Sequence, residues 1–227
     1  MTVAFPPTQV APIDTESPRP KMTYEEFMAW SDEDTYAEWV DGEVIVHMPP
    51  KPIHQELAVF LIELLGLFTK FFGLGNIYTA PLQMKLPNGP GREPDILFVS
   101  KDHAARVIED RLDGPADLVI EIISDDSVSR DREDKFYEYE AGGVPEYWIL
   151  DPRPNRRRAF FYHLDERGQY RPIPIGPDGI YRSRALPGFW LNVTWLQGDE
   201  YPDPLSALAE IVGPEKLIER IKAGQSK

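Results

Sequence analysis

The sequence predicts a mixed α/β or α+β fold, in which helices flank a central mixed β-sheet and further β-hairpins are added to it. The segment 117–123 is almost continuously apolar and β-branched, which is typical of a strand buried on both faces. The segment 54–72 is long and apolar, which predicts a buried helix. A predicted helix separates 117–123 from a second apolar strand at 147–150, so the middle of the chain follows a strand, helix, strand order around one sheet.

The chain divides into three predicted parts. Residues 1–21 contain five prolines and almost no apolar periodicity, so we expect an extended, mobile arm. Residues 22–196 contain the predicted sheet and its helices and form the main domain. Residues 197–227 form a C-terminal helical extension, whose helix over 204–222 is interrupted near Gly213-Pro214.

A short helix and a hairpin open the main domain. Thr23 precedes Glu26 by three residues, which is the spacing of a capping box and predicts a helix over 24–31. The alternating segments 36–40 and 43–48 flank an Asp-Gly pair, which is typical of a tight turn between two strands.

The remaining elements follow from apolar runs bounded by glycine and proline. The strands are predicted at 77–80, 82–86, 96–99, 117–123, 147–150, 159–164, 170–174, 180–184 and 190–193. Helices are predicted at 54–72, where Gly73 ends the pattern, and at 129–141, where Gly142-Gly143 ends it. The segment 87–91 contains glycines but lacks the lysine and hydroxyl of a phosphate-binding loop, so we predict a turn.

Composition restricts the classes of function. The chain has 227 residues, with 24 basic and 38 acidic side chains and a net charge of −14. This acidity argues against a broad basic surface for nucleic acid, although acidic metal ligands would themselves add to it. The absence of cysteine excludes disulfides, thiolate zinc sites and cysteine nucleophiles.

The sequence predicts a cytoplasmic protein with no membrane segment. The first residues lack the basic and apolar regions of a signal peptide. The most apolar stretch, 57–74, contains Glu63 and Lys70, and a charge at the bilayer centre costs about 2.5–3.5 kcal/mol even on the mildest scale. A buried core helix is therefore the better interpretation.

Glu121 is the first candidate site residue, because a carboxylate in the middle of an apolar strand is costly to bury. A cationic partner, a raised pKa or a metal ion would each reconcile the charge with burial. A position at the edge of the sheet, where Glu121 reaches solvent, is the plainer alternative.

Asp95 poses a similar problem, because it lies at the start of the apolar strand 96–99. A Pro-Asp pair alone often only begins a strand or turn. On neighbouring strands, however, Asp95 and Glu121 could offer two oxygen ligands to Mg²⁺, which usually binds one or two carboxylates and keeps several waters.

The segment after Glu121 supplies a third set of candidates. Asp131, Lys135 and Tyr139 follow at intervals of four residues and share one helical face. On spacing alone, an ordinary solvated charged face is the favoured explanation. A lysine near a metal site could instead position a water or offset the charge of a phosphate.

Several motifs occur together in a characteristic order. They are Val40-Asp-Gly-Glu43, His54 at a helix start, Pro94-Asp95, Glu121-Ile-Ile-Ser124, Asp131 with Lys135, and Glu146-Tyr-Trp-Ile-Leu-Asp-Pro152. In order and spacing the chain resembles the Uma-two family of restriction-endonuclease-like proteins, which is placed in the PD-(D/E)XK nuclease superfamily. The resemblance covers about residues 22–164, with a weaker continuation to 196, and it implies a restriction-endonuclease-like fold.

The resemblance assigns roles to individual residues. It implies that Asp95 and Glu121 bind the metal, Mg²⁺ with Mn²⁺ as a substitute, and that the backbone carbonyl of Ile122 binds the same ion. The superfamily's lysine is expected two residues after the glutamate, where this chain has Ile123. Members of the family carry it on the following helix instead, and Lys135 matches that lysine.

Four further residues match the family less directly. Glu43 matches an early glutamate and is a candidate to complete or adjust the metal site. Glu38 and His54 match recurring positions, and Asp131 is a supporting candidate. The chain departs from the family at Ser124-Asp125, where Ser-Pro is common.

The resemblance implies a metal-dependent endonuclease that hydrolyses nucleic-acid phosphodiesters, with DNA as the expected substrate. The resemblance also leaves open a homodimer, since proteins with such folds commonly form dimers. The alternative function is a nuclease fold that has lost hydrolysis and serves as a binding or assembly module. The net charge of −14 and the absence of a recognisable DNA-reading segment favour that alternative.

A basic cluster lies outside these motifs. Arg153, Arg156, Arg157 and Arg158 follow the predicted strand at 147–150. Contact with nucleic-acid phosphates and pairing with nearby acids are equally consistent with the pattern.

Overall fold

The computed structural model describes residues 20–31, 37–40, 42–46, 51–87, 89, 91–124 and 133–224. Within these ranges it has five α-helices, two short 3-10 helices and thirteen strands. The predicted arm, 1–21, lies almost entirely outside the described residues. Among the helices described, none is long and apolar enough to cross a membrane.

The first helix and hairpin form as predicted. Helix α1, Tyr24–Trp30, has both hydrogen bonds of the capping box between Thr23 and Glu26. Strands β1, Ala37–Val40, and β2, Glu43–Val46, pair in antiparallel register.

Helix α2, Pro52–Phe72, is the longest element and packs one face against the main sheet. Pro52 occupies its first turn, where backbone N–H groups have no partner within the helix, so the missing N–H of proline costs no hydrogen bond. Gly73 ends it with φ 64°, in the left-handed region that glycine adopts without steric cost. The buried side chains of α2 are His54, Leu57, Phe60, Leu61, Leu64, Leu65, Phe68 and Thr69.

A six-stranded mixed sheet forms the centre of the molecule. Its strands are β3 Gly75–Thr79, β6 Ile96–Ser100, β8 Leu118–Ile122, β9 Glu146–Asp151, β10 Arg158–Leu164 and β11 Tyr170–Pro172. The spatial order is β11-β10-β9-β8-β6-β3. The central pair, β8 and β9, is parallel, and the other neighbours are antiparallel.

The parallel pair requires a crossover, which contains helix α3, Lys135–Ala141. The predicted helix over 129–141 is thus confirmed from residue 135, and its predicted start lies outside the described residues.

A smaller five-stranded sheet holds the hairpin and three short strands. Its order is β2-β1-β5-β4-β7, with β4 Gln83–Lys85, β5 Gly91–Arg92 and β7 Arg111–Asp113. The sequence did not predict β5 or β7, because both are two or three residues long and mostly polar. Gly91, which we predicted to lie in a turn, is therefore the first residue of a strand.

The C-terminal part of the chain completes the main core. Strands β12, Ile180–Arg182, and β13, Trp190–Asn192, form a two-stranded sheet. Helix α4, Pro204–Val212, packs against α2, and α5, Pro214–Gly224, follows after the predicted interruption.

The central sheet separates two cores. On one face α2, α4 and the β12–β13 sheet cover residues such as Ile120 and Ile122. On the other face α3 and the small sheet cover Val119 and Ile123. Because side chains alternate along β8, Glu121 lies on the same face as Val119 and Ile123, towards α3.

Candidate functional site

Two acidic residues lie opposite each other where β6 begins and β8 ends. Ile96 of β6 lies opposite Ile120 of β8 in antiparallel register, so Asp95, one residue earlier, lies opposite Glu121. Glu121 is only 2% exposed and belongs to a strand with neighbours on both sides. The sheet-edge interpretation of Glu121 is therefore wrong.

The carboxylate of Glu121 is held by two side chains of α3. Lys135 Nζ donates hydrogen bonds to Oε1 and Oε2 of Glu121, each at 2.9 Å. Tyr139 donates its hydroxyl to Oε1 at 2.6 Å. Of the three ways to reconcile this buried charge, the structure contains the cationic partner.

The spacing of Lys135 and Tyr139 thus places one helical face against Glu121 rather than in solvent. Lys135 is 4% exposed and Tyr139 is fully buried, so the interpretation of this pair as a solvated charged face is wrong. The spacing predicts that Tyr139 shares a helical face with Lys135, but it does not predict the hydrogen bond between Tyr139 and Glu121.

Asp95 is held by a backbone group and a histidine. The backbone N–H of Ile122 donates to Asp95 Oδ2 at 2.7 Å. His54 Nε2, in the first turn of α2, lies 3.3 Å from Asp95 Oδ1. The two carboxylate oxygens are therefore oriented by different elements, one by β8 and the other by α2.

The donor set suits a hard divalent cation such as Mg²⁺. The N–H and C=O of one strand residue point to the same side, so the Ile122 carbonyl faces the side on which Asp95 lies. Two carboxylates and a carbonyl from adjoining strands match a cation that keeps several waters. Among the described residues, no three His, Cys, Asp or Glu side chains cluster as a metal-binding group.

The position of α3 depends on a second charged pair that the sequence did not predict. Arg92 of β5 is 1% exposed and donates two hydrogen bonds to Glu138, at 2.6 Å and 2.7 Å. Glu138 precedes Tyr139 on α3, so this pair fixes the helix that carries Lys135. A lone arginine in a two-residue strand gives no periodic signal from which the contact could be found.

The structure describes the remaining predicted site residues to different extents. Glu43 begins β2 in the small sheet, where its carboxylate lies 3.4 Å from Lys21 Nζ. Glu38 lies on β1, but its side chain is outside the described residues, as is the whole of Asp131. Roles for Glu43, Glu38 and Asp131 stay predictions.

The basic cluster lies at the same end of the sheet as Glu121. Asp151 ends β9 and accepts hydrogen bonds from Nε and one terminal nitrogen of Arg153, both at 2.8 Å. Arg157 donates to the Gln197 carbonyl and to Asp199, each at 2.8 Å. Two of the four arginines thus pair with nearby groups.

A second buried carboxylate, Glu146, lies on the opposite face of the sheet. It accepts hydrogen bonds from Trp148, from the Tyr181 hydroxyl and from the backbone of residues 184 and 185. Burial lowers the pKa of the adjoining His163, while the charge of Glu146 opposes that shift. This cluster anchors the β12–β13 sheet and is separate from Asp95.

Comparisons with known proteins agree with this architecture. The Uma2 family, described as "Putative restriction endonuclease", matches residues 24–194. A crystal structure from Anabaena variabilis, titled a putative nuclease belonging to DUF820, superimposes with a TM-score of 0.65 at 17% identity. The match covers 77% of this chain and 97% of that one, and at this identity it shows the fold alone. No curated protein sequence matches the chain. Because the family match spans most of the sequence, including every element of the Asp95–Glu121 site, the chain belongs to the Uma2 family and has its nuclease fold.

Proposed function

We propose that this protein is a metal-dependent endonuclease that hydrolyses nucleic-acid phosphodiesters at the Asp95–Glu121 site. One observation carries the proposal: two carboxylates from neighbouring strands lie at the same end of the central sheet, and a buried ammonium group binds one of them. Membership of a family described as "Putative restriction endonuclease" supports nucleic acid as the class of substrate.

Asp95, Glu121 and the Ile122 carbonyl would hold Mg²⁺, or Mn²⁺ in its place. When bound, the ion supplies Lewis-acid polarisation of the phosphoryl oxygen and lowers the pKa of a bound water. So small a set of protein ligands is typical of magnesium sites that also take up a phosphate.

The protein's own groups orient the site and supply positive charge. The Ile122 N–H and His54 hold the two oxygens of Asp95, so its carboxylate does not need to reorganise. Tyr139 fixes Oε1 of Glu121. Lys135 brings a positive charge into a buried setting, where it offsets the negative charge that grows on the phosphate during hydrolysis.

The proposal also covers the substrate, the location and the oligomeric state of the protein. We expect the protein to cut DNA. We also expect it to be located in the cytoplasm. A homodimer stays a prediction, with the β1–β2 hairpin as its candidate contact.

The test is cleavage of single- and double-stranded DNA and RNA with Mg²⁺, Mn²⁺ or EDTA. We expect metal-dependent cutting by the parent and at least a hundredfold loss in Asp95→Asn, Glu121→Gln and Lys135→Met. Asp178→Asn and Lys101→Met are the matched controls, because both side chains lie at the surface and outside the site. Thermal unfolding of each variant separates lost chemistry from lost structure.

Two results would contradict the proposal in different ways. Cutting that survives in Asp95→Asn and Lys135→Met would move the active site elsewhere. A parent that neither cuts nor binds Mg²⁺ by calorimetry would instead identify the alternative, a nuclease fold retained as a binding or assembly module.

A further inference from the structure

A basic loop adjoins the proposed site at the end of the central sheet. Residues 152–157 connect β9 to β10, and the loop with the first residue of β10 carries four arginines. We call residues 152–158 the arginine loop. It is a local concentration of positive charge in a protein whose net charge is −14.

Strand register places the arginine loop near Glu121. Glu121 lies opposite Ile149 in the parallel β8–β9 pair, and Asp151, two residues further on, lies opposite Arg158 of β10. Because cross-strand partners share a face and side chains alternate, Glu121, Asp151 and Arg158 lie on the same face. With strands about 4.8 Å apart and a rise of about 3.3 Å per residue, the Cα atoms of Glu121 and Arg158 are about 12 Å apart.

Two arginines hold the loop in place. The bidentate pair between Arg153 and Asp151 is largely buried, with side-chain exposures of 12% and 1%. Arg157 joins the loop to the segment after β13 through Gln197 and Asp199. These contacts fix the backbone on which the other two arginines are carried.

Arg156 and Arg158 have a different environment. Both are exposed, and neither forms an ion pair with an acidic side chain in the described part of the chain. Within the described residues, the alternative in which the whole cluster pairs with local acids therefore accounts for two of its four members. A guanidinium on a fixed backbone matches the geometry of a phosphate through paired N–H donors.

We propose that Arg156 and Arg158 bind two backbone phosphates of a nucleic-acid strand that passes the Asp95–Glu121 site. The placement of that strand rests on the proposed function, but the binding does not require hydrolysis. A separation of about 12 Å corresponds to about three to four nucleotides at a rise of ~3.4 Å per nucleotide. Since phosphate contacts carry no sequence information, the arginine loop provides affinity and register rather than sequence recognition.

The test measures how the whole chain binds fluorescent single- and double-stranded DNA and RNA oligonucleotides in EDTA. Fluorescence anisotropy gives the binding constant at several salt concentrations. Loss of two phosphate contacts in Arg156→Gln/Arg158→Gln should reduce the slope of log K against log salt by about 1.8 for duplex DNA or about 1.4 for single strands. We expect the Kd at 0.1 M salt to rise roughly tenfold or more.

Two matched variants control for net charge and for folding. Arg167→Gln/Arg220→Gln removes the same charge from exposed positions in the β10–β11 turn and on α5, and it should keep the parent slope. Arg156→Lys/Arg158→Lys keeps the charge in the loop and should keep most of the slope, because counterion release depends on charge.

The outcomes separate this inference from the proposed function. Equal slopes for the loop variant and the charge control, or a parent that binds no oligonucleotide, would overturn the inference even if the parent cuts. A reduced slope in the loop variant alone would support it, even if the parent never cuts.

Discussion

At the scale of single residues, the Glu121–Lys135 pair is more deeply buried than the His54–Asp95 pair of the same site. Both side chains are almost fully buried, at 3% and 5% exposure. Taking two charges out of water is costly, so such a pair stabilises little by itself but is costly to break.

We predict that Lys135→Met lowers the free energy of unfolding by about 3–5 kcal/mol, because it leaves Glu121 buried with its cationic partner removed. Urea unfolding at neutral pH measures the change. The double variant Glu121→Gln/Lys135→Met should recover most of the loss, since it buries no charge. A double variant as unstable as Lys135→Met would show that packing of the lysine stem, not charge, carries the effect.

His163 gives a second prediction at this scale, in pH dependence. Its pKa is lowered by burial, so the folded state holds the neutral imidazole while the unfolded state takes up a proton near its ordinary pKa of about 6.5. The unfolded state then binds more protons as pH falls below that value, and the stability of the folded protein decreases.

The measurement is urea unfolding at a series of pH values from 7.5 downwards. His163→Gln should flatten the decrease that begins near pH 6.5, and His103→Gln is the control for removal of an imidazole elsewhere. An unchanged pH dependence in His163→Gln would assign the titration to another group.

At the scale of elements, α3 has only seven residues, so its position depends on what it contacts. Arg92 binds Glu138 from the small sheet, and Glu140 accepts a hydrogen bond from the backbone N–H of Tyr170 at 2.6 Å. At its end, a Cβ added to Gly142 would lie 2.8 Å from both methyl groups of Leu86. The small sheet is therefore a support for the helix that carries Lys135.

We predict that Gly142→Ala destabilises the protein by about 1–3 kcal/mol, because the added methyl group forces Leu86 or α3 to move. Gly66→Ala is the matched comparison, since Gly66 lies inside α2 with open space at its Cβ position. Alanine there should raise stability by about 0.5–1 kcal/mol through helix propensity. Thermal unfolding of both variants should therefore give shifts of opposite sign, and equal shifts would contradict the close packing at Gly142.

Elements with a strong period were predictable, and short polar ones were not. Helix α2 and strand β8 follow from continuous apolar patterns, and the capping box at Thr23 follows from side-chain chemistry. Strands β5 and β7 form by hydrogen bonding to neighbouring strands, so no local sequence pattern predicts them. For the same reason the Asp95–Glu121 pairing was predictable from two misplaced carboxylates, whereas the Arg92–Glu138 contact, 46 residues apart, was not.

At the scale of the whole molecule, the main core extends beyond the segment that resembles the family. Helix α4 contributes the buried Ala207, Leu208 and Val212 to the core that α2 lines. Helix α5 is mostly exposed, with Ile218 and Ile221 about half accessible. The structural role of the C-terminal helices therefore changes between Val212 and Pro214.

We predict that truncation before Pro214 shifts Tm by only about 2–4 °C, which corresponds to about 1 kcal/mol for a chain of this size. Truncation before Pro204 should abolish cooperative unfolding, because it uncovers the α2 side of a core whose total stability is about 5–15 kcal/mol. Calorimetry of the two shortened chains measures both. Similar Tm values would mean that α4 contributes little to the core.

The crossover between β8 and β9 has a consequence for how related sites can be recognised. Ile123, two residues after Glu121, is fully buried, while Lys135 reaches the Glu121 carboxylate from the crossover helix. The ammonium group is thus placed beside Glu121 by the position of α3, and not by a short interval along β8. A sequence pattern with a fixed interval between glutamate and lysine would miss this protein. A three-point template of two carboxylates and one ammonium nitrogen would recover it, along with chains whose crossovers have other lengths.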